Sequence, residues 1–417
     1  MADTMRDGAE VSATITAAEA ARIRWQAVVV GAGPAGAAAA WRLAAAGIRV
    51  LLLDRDAFPR GKVCGCCLST RALNELRMLG QGSLPAAAVE LESVRVIHRG
   101  RALRVSLPAG SVVSRELLDA TLVRRAIAAG CHWLPAASVQ SLDDHGGGAD
   151  VVSVRLAARG WSVATGLEIE TDMAVVATGL SHQVRIGPVG TVSPDHRRIA
   201  PGSRFGVGAV LPASACDLPA GELVMAVGRD GYCGLVRLED GRIDVAAAID
   251  RTAISRGADP ASTVAGLLEQ AAAGEPTLRS DAAAIREGSF RATPPLTCRA
   301  PLVAGAARRI LRVGDAAGYV EPFTGEGIGW SLAAARILAT AALGPSGLRP
   351  PDEVADRYVA AQRRELSACH VRCRVVAGGL RRPAVVATAI AAARTFPSLA
   401  RRVVPMVIGA SFGGGGR

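Results

Sequence analysis

The sequence predicts an α/β fold in which a parallel sheet is interleaved with a strand-rich insertion and followed by a helical C-terminal extension. Apolar runs typical of buried strands begin near residues 26, 48, 173 and 310. Between residues 204 and 250 the pattern changes to short strands, with Asp240-Gly241 as a hairpin turn between the last two. Beyond residue 350 the pattern is helical and is broken only by prolines. Together these observations indicate a Rossmann-like architecture of two interleaved domains.

The domain boundaries follow from the same pattern. We expect a discontinuous nucleotide-binding domain over residues 25–85, 110–185 and 295–345, a substrate domain over 86–109 and 190–290, and a C-terminal helical segment over 350–417. Ser69 and Ser114 are each placed to cap the N-terminus of a helix. A third helix is expected over residues 260–273. A β-meander is expected from His132 to Asp172, broken at Gly146-Gly147-Gly148 and at Arg159-Gly160.

The stretch from Ala27 to Asp54 carries the clearest motif. A β-branched strand runs into Gly-Ala-Gly-Pro-Ala-Gly, an alanine-rich helix follows, and a second apolar strand ends at Asp54. In such a unit Gly31 permits the turn, Gly33 lets the backbone approach a pyrophosphate, and Gly36 allows close packing of helix and strand. An acidic residue 18 positions after Gly36 can bind ribose hydroxyls. The motif therefore predicts a bound dinucleotide.

Composition excludes several classes of protein. The 417 residues carry a formal charge of +11, but only 3% are aromatic and no aromatics alternate with the arginines, which argues against nucleic-acid binding. The nine cysteines are odd in number, and neither a secretory leader nor a membrane-spanning run is expected, which favours a reducing cytoplasm. No spacing supports a metal site. No acidic residue follows Glu365, so the arginine-rich C-terminal segment could contact an anionic membrane surface.

The loop after Asp54 contains the chain's only lysine. Of 48 basic residues 47 are arginine, and the exception is Lys62 in Phe-Pro-Arg-Gly-Lys-Val-Cys-Gly-Cys-Cys-Leu-Ser. A position that keeps an ammonium in so arginine-rich a chain indicates a role that guanidinium cannot fill. Cys64, two residues away, could have a lowered pKa, and Cys64 and Cys67 have the spacing of a redox pair. We predict Lys62 and Cys64 as catalytic residues.

A second glycine-rich stretch follows the strand near residue 310. Gly314-Asp315 places a carboxylate at a strand end, where it could accept hydrogen bonds from sugar or ribityl hydroxyls. Gly325, Gly327 and Ile328 then bring backbone N–H groups and a helix N-terminus towards a flat, electron-rich ring.

These motifs together resemble those of FAD-dependent oxidoreductases of the p-hydroxybenzoate hydroxylase fold. Within that group, the Phe58–Ser69 loop and Pro-Phe-Thr-Gly-Glu-Gly-Ile-Gly-Trp-Ser-Leu are similar to the geranylgeranyl reductase family. The resemblance spans about residues 25–345 and implies FAD, with Cys64 near the flavin. The expected cofactor-binding residues are Gly31, Gly33, Pro34, Ala35, Gly36, Asp54, Arg55, Lys62, Arg115, Ala177, Thr178, Gly179, Gly314, Asp315, Gly325, Gly327 and Ile328. The expected substrate-facing residues are Tyr232, Tyr319, Glu321 and Pro322.

Two departures bear on the substrate. The family often carries an aromatic motif of the form YxWxFP, whereas this chain has Gly231-Tyr232-Cys233-Gly234 at the corresponding place. The halogenase motif GWxWxIP is absent. We therefore expect a flavin reductase or dehydrogenase that transfers hydride at N5 and acts on a lipophilic alkene, quinone, or polyketide- or isoprenoid-like substrate. NAD(P)H or a redox protein would supply the electrons. The alternative is a monooxygenase acting on an aromatic or polyketide substrate; a flavin redox carrier and a halogenase rank below it.

Overall fold

The computed structural model describes residues 10–80, 87–107, 109–145, 150–157, 166–181, 184–187, 197–254, 259–273, 276–305, 308–396 and 398. Its helices are α1 Ala17–Ala20, α2 Pro34–Ala45, α3 Thr70–Met78, α4 Arg115–Ala128, α5 Arg251–Ile254, α6 Pro260–Ala272, α7 Pro276–Arg286, α8 Gly327–Ala342, α9 Pro351–Leu380 and α10 Pro383–Thr395. Its strands are β1 Trp25–Val30, β2 Val50–Leu53, β3 Cys67–Leu68, β4 Val89–Glu90, β5 Ser93–His98, β6 Arg101–Ser106, β7 Ser111–Val112, β8 His132–Leu134, β9 Val139–Asp144, β10 Val152–Leu156, β11 Glu168–Val176, β12 Arg185–Ile186, β13 Arg198–Ile199, β14 Phe205–Leu211, β15 Glu222–Val227, β16 Gly231–Arg237, β17 Ile243–Ile249, β18 Arg291–Pro295, β19 Cys298–Arg299, β20 Val303–Ala304, β21 Ile310–Arg312, β22 Gly318–Tyr319, β23 Leu343–Gly344 and β24 Gly347–Leu348.

The first sheet is built around β1. Its neighbours β2 and β11 run parallel to it, with Val29 opposite both Leu52 and Val175. The strand β21 extends the parallel set beyond β11. Because both faces of these strands are covered, the strands are almost continuously apolar rather than alternating. The four runs recognised in the sequence therefore lie side by side, and the predicted α/β fold is confirmed.

One expected element is placed differently. Strand β8 does not open a meander; it pairs in parallel with β2, with Leu52 opposite Trp133. Only β9, β10 and the first half of β11 form the antiparallel run. A three-residue strand offers too little pattern to identify its partner, and the pairing is decided by the helix that returns the chain to this edge. The glycines at 146–148 and 160, expected to break the meander, lie outside the described residues.

A seven-stranded sheet forms the second layer, in the order β18-β14-β17-β16-β15-β5-β6. One of its faces is packed against α6 through an apolar cluster that includes Val264, Leu267 and Leu268. Asp259 caps that helix by accepting a hydrogen bond from the Ser262 N–H. The other face of β14, β17 and β16 is turned towards the loop from Lys62 to Cys67, and a Cβ on Gly208 would lie 3.0 Å from the Val63 side chain.

The C-terminal helices α9 and α10 meet at an angle of 103°. Among the described residues, no single helix has both the length and the apolar character needed to cross a bilayer, although this bent pair meets that test when taken together. Helix α9 packs along α8, and α10 covers β6 of the seven-stranded sheet.

Candidate active site

The glycine turn between β1 and α2 shapes the start of the site. Gly31 has a φ of +102°, and a Cβ there would lie 2.5 Å from the carbonyl oxygen of Ala177. A Cβ on Gly36 would lie 1.8 Å from the carbonyl oxygen of Gly31. Gly33 caps α2 without a side-chain hydrogen bond, and it lines a cavity with Pro34 and Ala35. The N–H groups of the first helical turn are therefore presented to that cavity.

Asp54 fixes the turn from the end of β2. Its Oδ2 accepts a hydrogen bond from the Ala32 N–H at 2.7 Å, and its Oδ1 accepts one from the Asp56 N–H at 3.0 Å. Asp54 and the neighbouring Arg55 line the outer part of the groove. Each carboxylate oxygen retains a lone pair for a ligand hydroxyl.

Two buried arginines face the glycine turn. Arg115 donates two hydrogen bonds to Asp119, at 3.0 and 2.7 Å, which hold its guanidinium in one orientation. Arg60 lies 3.6 Å from Asp54 and 3.5 Å from Asp119, and its buried Nε has no hydrogen-bond partner among the described residues. A Cβ on Gly33 would contact both guanidinium groups, at 3.6 and 3.9 Å. The arrangement is suited to a phosphate group, which could accept hydrogen bonds from both side chains.

Two adjoining cavities form one long groove. The outer one has about 1050 Å³ of empty space and runs from Asp54 past Gly31 to Thr178. The inner one has about 1650 Å³, counting the part open to solvent, and extends from Gly33 to the seven-stranded sheet. The residues that line both are Gly33, Lys62, Val63, Ala177, Ser181 and Thr293.

Lys62 lies where the two cavities meet. Its Nζ would be 2.8 Å from a Cβ on Gly179, so the ammonium rests directly on the glycine backbone. Burial and the nearby Arg115 guanidinium lower the pKa of Lys62, while Asp315 acts in the opposite direction. A compact cation is thus enclosed by protein on the Gly179 side and open to the groove on the other.

We expect Lys62→Arg to bind FAD, the cofactor expected from the motifs above, more weakly and to lower turnover by on the order of 10²-fold, because the larger guanidinium cannot occupy the space against Gly179 and must displace its neighbours. FAD content after gel filtration and the steady-state rate measure the two effects. Lys62→Met, which keeps the length of the side chain but removes the charge, is the matched comparison. Wild-type behaviour of Lys62→Arg would show that charge alone is needed.

The cysteine loop forms one wall of the inner cavity. Cys64, Cys66 and Cys67 all line the cavity; Cys66 is 3% exposed and has a φ of +51°. A hydrogen bond from the Cys66 thiol, supported by the Arg115 guanidinium, lowers the pKa of Cys64 to about 6 despite its burial. The pKa values of Cys66 and Cys67 are raised, by the bond to Cys64 for the first and by burial for the second. Cys64 is therefore the thiolate of this cluster at neutral pH.

The second glycine-rich stretch closes the groove from the other side. Asp315, Gly325, Gly327 and Ile328 line the inner cavity. Burial raises the pKa of Asp315, and Lys62 is the largest opposing influence. The ring of Tyr319 covers Gly327, with a Cβ there only 3.2 Å from the ring.

Three residues expected in the site lie behind its surface. Gly36 and Gly314 do not line the groove because each packs against protein, Gly314 with its Cβ position 2.8 Å from the Ala35 Cβ. Glu321 also lies behind the wall, whereas Tyr232, Tyr319 and Pro322 line the cavity.

Glu321 belongs to a buried ion network, which we call the Glu321 network. Its carboxylate accepts hydrogen bonds from Arg204 at 3.3 Å, from the Tyr232 hydroxyl at 3.3 Å and from Arg381 at 2.7 Å. Arg204 and Arg381 each also donate to Asp250 at 3.0 Å. Arg381 follows directly on α9, so the network joins the C-terminal helices to the cavity wall.

Sequence reasoning missed two groups that face the site. Arg60 lies in the Phe58–Ser69 loop, between the glycine-turn unit that ends at Asp54 and the Lys62–Cys64 pair. That position was the signal that could have identified it. Asp244, 4% exposed, lines the inner cavity from the second position of β17. An acidic residue within the otherwise apolar run Ile-Asp-Val-Ala-Ala-Ala-Ile is unusual for a strand interior and was the available signal.

Comparison with known proteins agrees with this geometry. Residues 24–179 match the family model described as an FAD binding domain. The menaquinone reductase of Mycobacterium tuberculosis is 31% identical over 353 residues, which cover 79% of this chain and 80% of the relative. The chain belongs to the geranylgeranyl reductase-like family of FAD-dependent oxidoreductases.

Other relatives lie within the same family. The geranylgeranyl diphosphate reductase of Rhodobacter capsulatus is 32% identical over 166 residues, covering 39% of each chain. The digeranylgeranylglycerophospholipid reductase 2 of Methanopyrus kandleri is 29% identical over 334 residues, covering 74% of each. Like these family members, the protein is an enzyme, and the predicted recognition and cofactor are confirmed.

Solved structures share the fold without selecting a reaction. A triple mutant of the flavin-dependent brominase Bmp2 superposes with a TM-score of 0.71 at 16% identity, covering 94% of this chain and 96% of that one. A flavoprotein/dehydrogenase from Cytophaga hutchinsonii gives a TM-score of 0.70 at 15% identity, covering 93% of both chains. The brominase and the dehydrogenase superpose on this chain about equally well, so the fold does not indicate the reaction. The chemistry has to be argued from the side chains.

The groove fits FAD. A dinucleotide needs an N-terminal helix turn and cations for its pyrophosphate, which Gly33, Arg60 and Arg115 offer, and a carboxylate for its ribose, which Asp54 offers. The buried Nε of Arg60 lies 3.7 Å from an Asp56 oxygen and has no hydrogen-bond partner within the described part of the chain, so a phosphate oxygen would satisfy this donor. The inner cavity has room beyond Gly33 for a flat ring and for a substrate.

Proposed function

We propose that the protein reduces a lipophilic substrate, adding hydrogen to an alkene or to a quinone-type ring by hydride transfer at N5 of the flavin. When bound, FAD supplies the hydride. The same site could run the reaction in the direction of dehydrogenation, and NAD(P)H or a redox protein would be the electron partner. The substrate class includes isoprenoid-like and polyketide-like molecules.

The apolar wall of the inner cavity is the observation that carries this proposal. Beyond Cys64 the cavity is bounded by large aliphatic and aromatic side chains, with few polar groups among them. These are Leu91, Leu107, Leu223, Met225, Val236, Leu296 and Phe323. Such a lining favours hydrocarbon and offers little that would bind a strongly polar substrate.

A flat strip on the sheet leaves room for the substrate beside Cys64. Gly208, Ala246 and Gly234 lie opposite one another on three adjacent strands and carry almost no side-chain volume. The Val63 side chain covers the Gly208 end of this row, so the free part is at Ala246 and Gly234. Gly234 and Ala246 line the cavity. We infer that a planar or extended group lies along this strip with its reacting carbon near Cys64.

Product analysis tests the proposal. The enzyme is reduced anaerobically and offered a menaquinone with a four-unit isoprenoid chain or, separately, geranylgeraniol. Reduction of an alkene gives a product that is two hydrogens heavier than the substrate and keeps that mass after exposure to air. Reduction of the quinone ring also adds two hydrogens, but that product returns to the mass of the substrate in air. A product carrying one additional oxygen atom, formed only in air, would replace the reductase proposal with the monooxygenase alternative.

We further propose that the C-terminal helices contact an anionic membrane surface, which would place a cytoplasmic enzyme at the source of a lipophilic substrate. Val375 of α9 and Phe396, just after α10, are 70% and 59% exposed, and Val371 and Val385 are exposed as well. Exposed arginines on the same helices include Arg363, Arg364, Arg374, Arg382 and Arg394. Arg401, Arg402 and Arg417, which belong to the same basic segment of the sequence, lie outside the described residues.

We expect the protein to co-sediment with vesicles containing phosphatidylglycerol and to be released as salt is raised, because arginines near a charged surface contribute about 1 kcal/mol each. Val375→Glu combined with Phe396→Glu is expected to reduce the bound fraction on the order of tenfold. Met78→Glu, at another exposed apolar position, is the control. Equal sedimentation of the double variant and the wild type would contradict a contact through these helices.

A further inference from the structure

Asp244 is a buried acid in the wall of the inner cavity that the site described above does not use. It lies on β17 between Val210 of β14 and Val236 of β16, on the face of the sheet that is turned towards the cysteine loop. One of its oxygens, Oδ2, is buried without a hydrogen-bond partner in the described part of the chain. A carboxyl in an apolar strand, with a free oxygen, costs stability and calls for a functional explanation.

Cys66 connects Asp244 to Cys64. The Cys66 thiol donates a hydrogen bond to the Cys64 carbonyl oxygen at 3.9 Å, and it interacts with the Asp244 carboxyl on one side and with the Cys64 sulfur on the other. Cys66 belongs to a small apolar cluster with Leu91, Val112, Val236 and Leu238. Cys64 packs against this cluster, and Asp244 pairs with Val236 on the neighbouring strand. These three acidic groups all line the inner cavity, and together they form a short path for a proton along its wall.

The charges around this path decide which group is ionised. The Arg115 guanidinium acts on all three groups and favours their ionised forms, while Glu116 disfavours a negative charge on Asp244. The neighbouring Cys67 thiol has a raised pKa because of burial and the charges of Asp244 and Cys64. Burial and the Cys64 thiolate raise the pKa of Asp244 well above that of an ordinary carboxyl. These pKa shifts favour the ionised form of Cys64 and the protonated form of Asp244, so the cluster favours a single negative charge on Cys64.

We propose that Asp244 is the proton source for Cys64, passing a proton through Cys66 each time the substrate is reduced. This inference rests on the proposed reductase function. Asp244 gives its proton to Cys66, Cys66 gives its own to Cys64, and the Cys64 thiol protonates the substrate carbon next to the one that receives hydride. The net result is one hydride and one proton added to the substrate and a carboxylate at Asp244. Solvent then returns the proton to Asp244, and no sulfur changes its oxidation state.

The first test needs no substrate. Iodoacetamide labelling of Cys64 is followed by mass spectrometry as a function of pH in the wild type, in Asp244→Asn and in the control Asp240→Asn, an exposed acid of the adjacent hairpin. We expect the plot of the Cys64 labelling rate against pH to show two inflections in the wild type and in the control. The first marks formation of the Cys64 thiolate, and the second, at higher pH, marks ionisation of Asp244 beside it. Only the first should remain in Asp244→Asn. A second inflection that persists in Asp244→Asn would overturn the proposal.

The second test follows the reaction. With the menaquinone probe, Asp244→Asn is expected to lower the rate of product formation about 10²-fold, the usual contribution of a positioned acid, while FAD content and KM stay unchanged. Cys66→Ala should behave like Asp244→Asn, and Cys66→Ser, which keeps a hydroxyl in the path, should recover part of the rate. An unchanged rate in both Asp244→Asn and Cys66→Ala would overturn the relay. If no probe is reduced at all, the function proposal fails but the labelling test still decides whether Asp244 and Cys64 share a proton.

Discussion

A chain carrying Gly36→Ala is expected to lose its bound FAD and to unfold at a lower temperature than the wild type. The added methyl would lie 1.8 Å from the Gly31 carbonyl oxygen in the β1–α2 turn and 3.0 Å from the Cβ of Ala177, which follows directly on β11. Neither can yield without moving α2 away from β1, and overpacking of this kind costs about 1–3 kcal/mol or more. The displaced helix would no longer present its first N–H groups to the pyrophosphate.

Gly266→Ala is the matched control for this substitution. Gly266 lies within α6, and a Cβ there would meet nothing within 4 Å. The same chemical change should therefore stabilise the protein slightly, by roughly 0.5–1 kcal/mol, because alanine favours the helix. Flavin absorbance after gel filtration and thermal unfolding compare the two variants. Retention of FAD by Gly36→Ala would show that the junction can relax.

Cys64→Ala is expected to retain FAD and to lose product formation by at least about 10²-fold. Cys64 is a small, partly buried residue on the cavity wall, so removal of its sulfur leaves little unfilled space in the fold and folding should be preserved. Cys64→Ser should be nearly as inactive, because a serine hydroxyl does not ionise in this pH range. Turnover that is unchanged in Cys64→Ala would remove this residue from the mechanism.

The pH dependence of the thiol gives a separate check. Because the pKa of Cys64 is lowered to about 6, the thiolate predominates above that pH and the thiol below it. Alkylation of Cys64 should therefore be about tenfold faster at pH 7 than at pH 5, whereas an ordinary thiol would remain almost unreactive at both. A Cys64 that reacts only above pH 8 would contradict the hydrogen-bonded arrangement with Cys66 and Arg115.

Features set by neighbouring residues were predictable from the sequence. Ser114 was expected to cap a helix, and its hydroxyl accepts a hydrogen bond from the Leu117 N–H at the start of α4. Asp240-Gly241 was expected to turn a hairpin, and β16 and β17 pair on either side of it. In both cases the physical cause lies within a few residues, so the pattern is visible before the chain is folded.

Features that depend on distant pairing were not predictable. The approach of Asp244 to Cys66 depends on the register of β17 and on how the seven-stranded sheet packs against the cysteine loop, and neither leaves a trace near either residue. The same holds for Glu321, expected to face the substrate, whose carboxylate is taken by Arg204 and Arg381 from two other parts of the chain. The local sequence pattern identified Glu321, whereas its partners are determined by packing between distant parts of the chain.

The Glu321 network has a consequence for how the molecule opens. If the C-terminal helices detach, Arg381 leaves, and a carboxylate that is 2% exposed keeps only Arg204 as a cationic partner, while Arg204 must also serve Asp250. Leaving a buried charge undercompensated is costly, so detachment and loosening of the cavity wall should occur as one cooperative event. Amide groups of β16 that adjoin Tyr232 and those at the end of α9 would then exchange with solvent at a common rate, although the two segments are far apart in the chain.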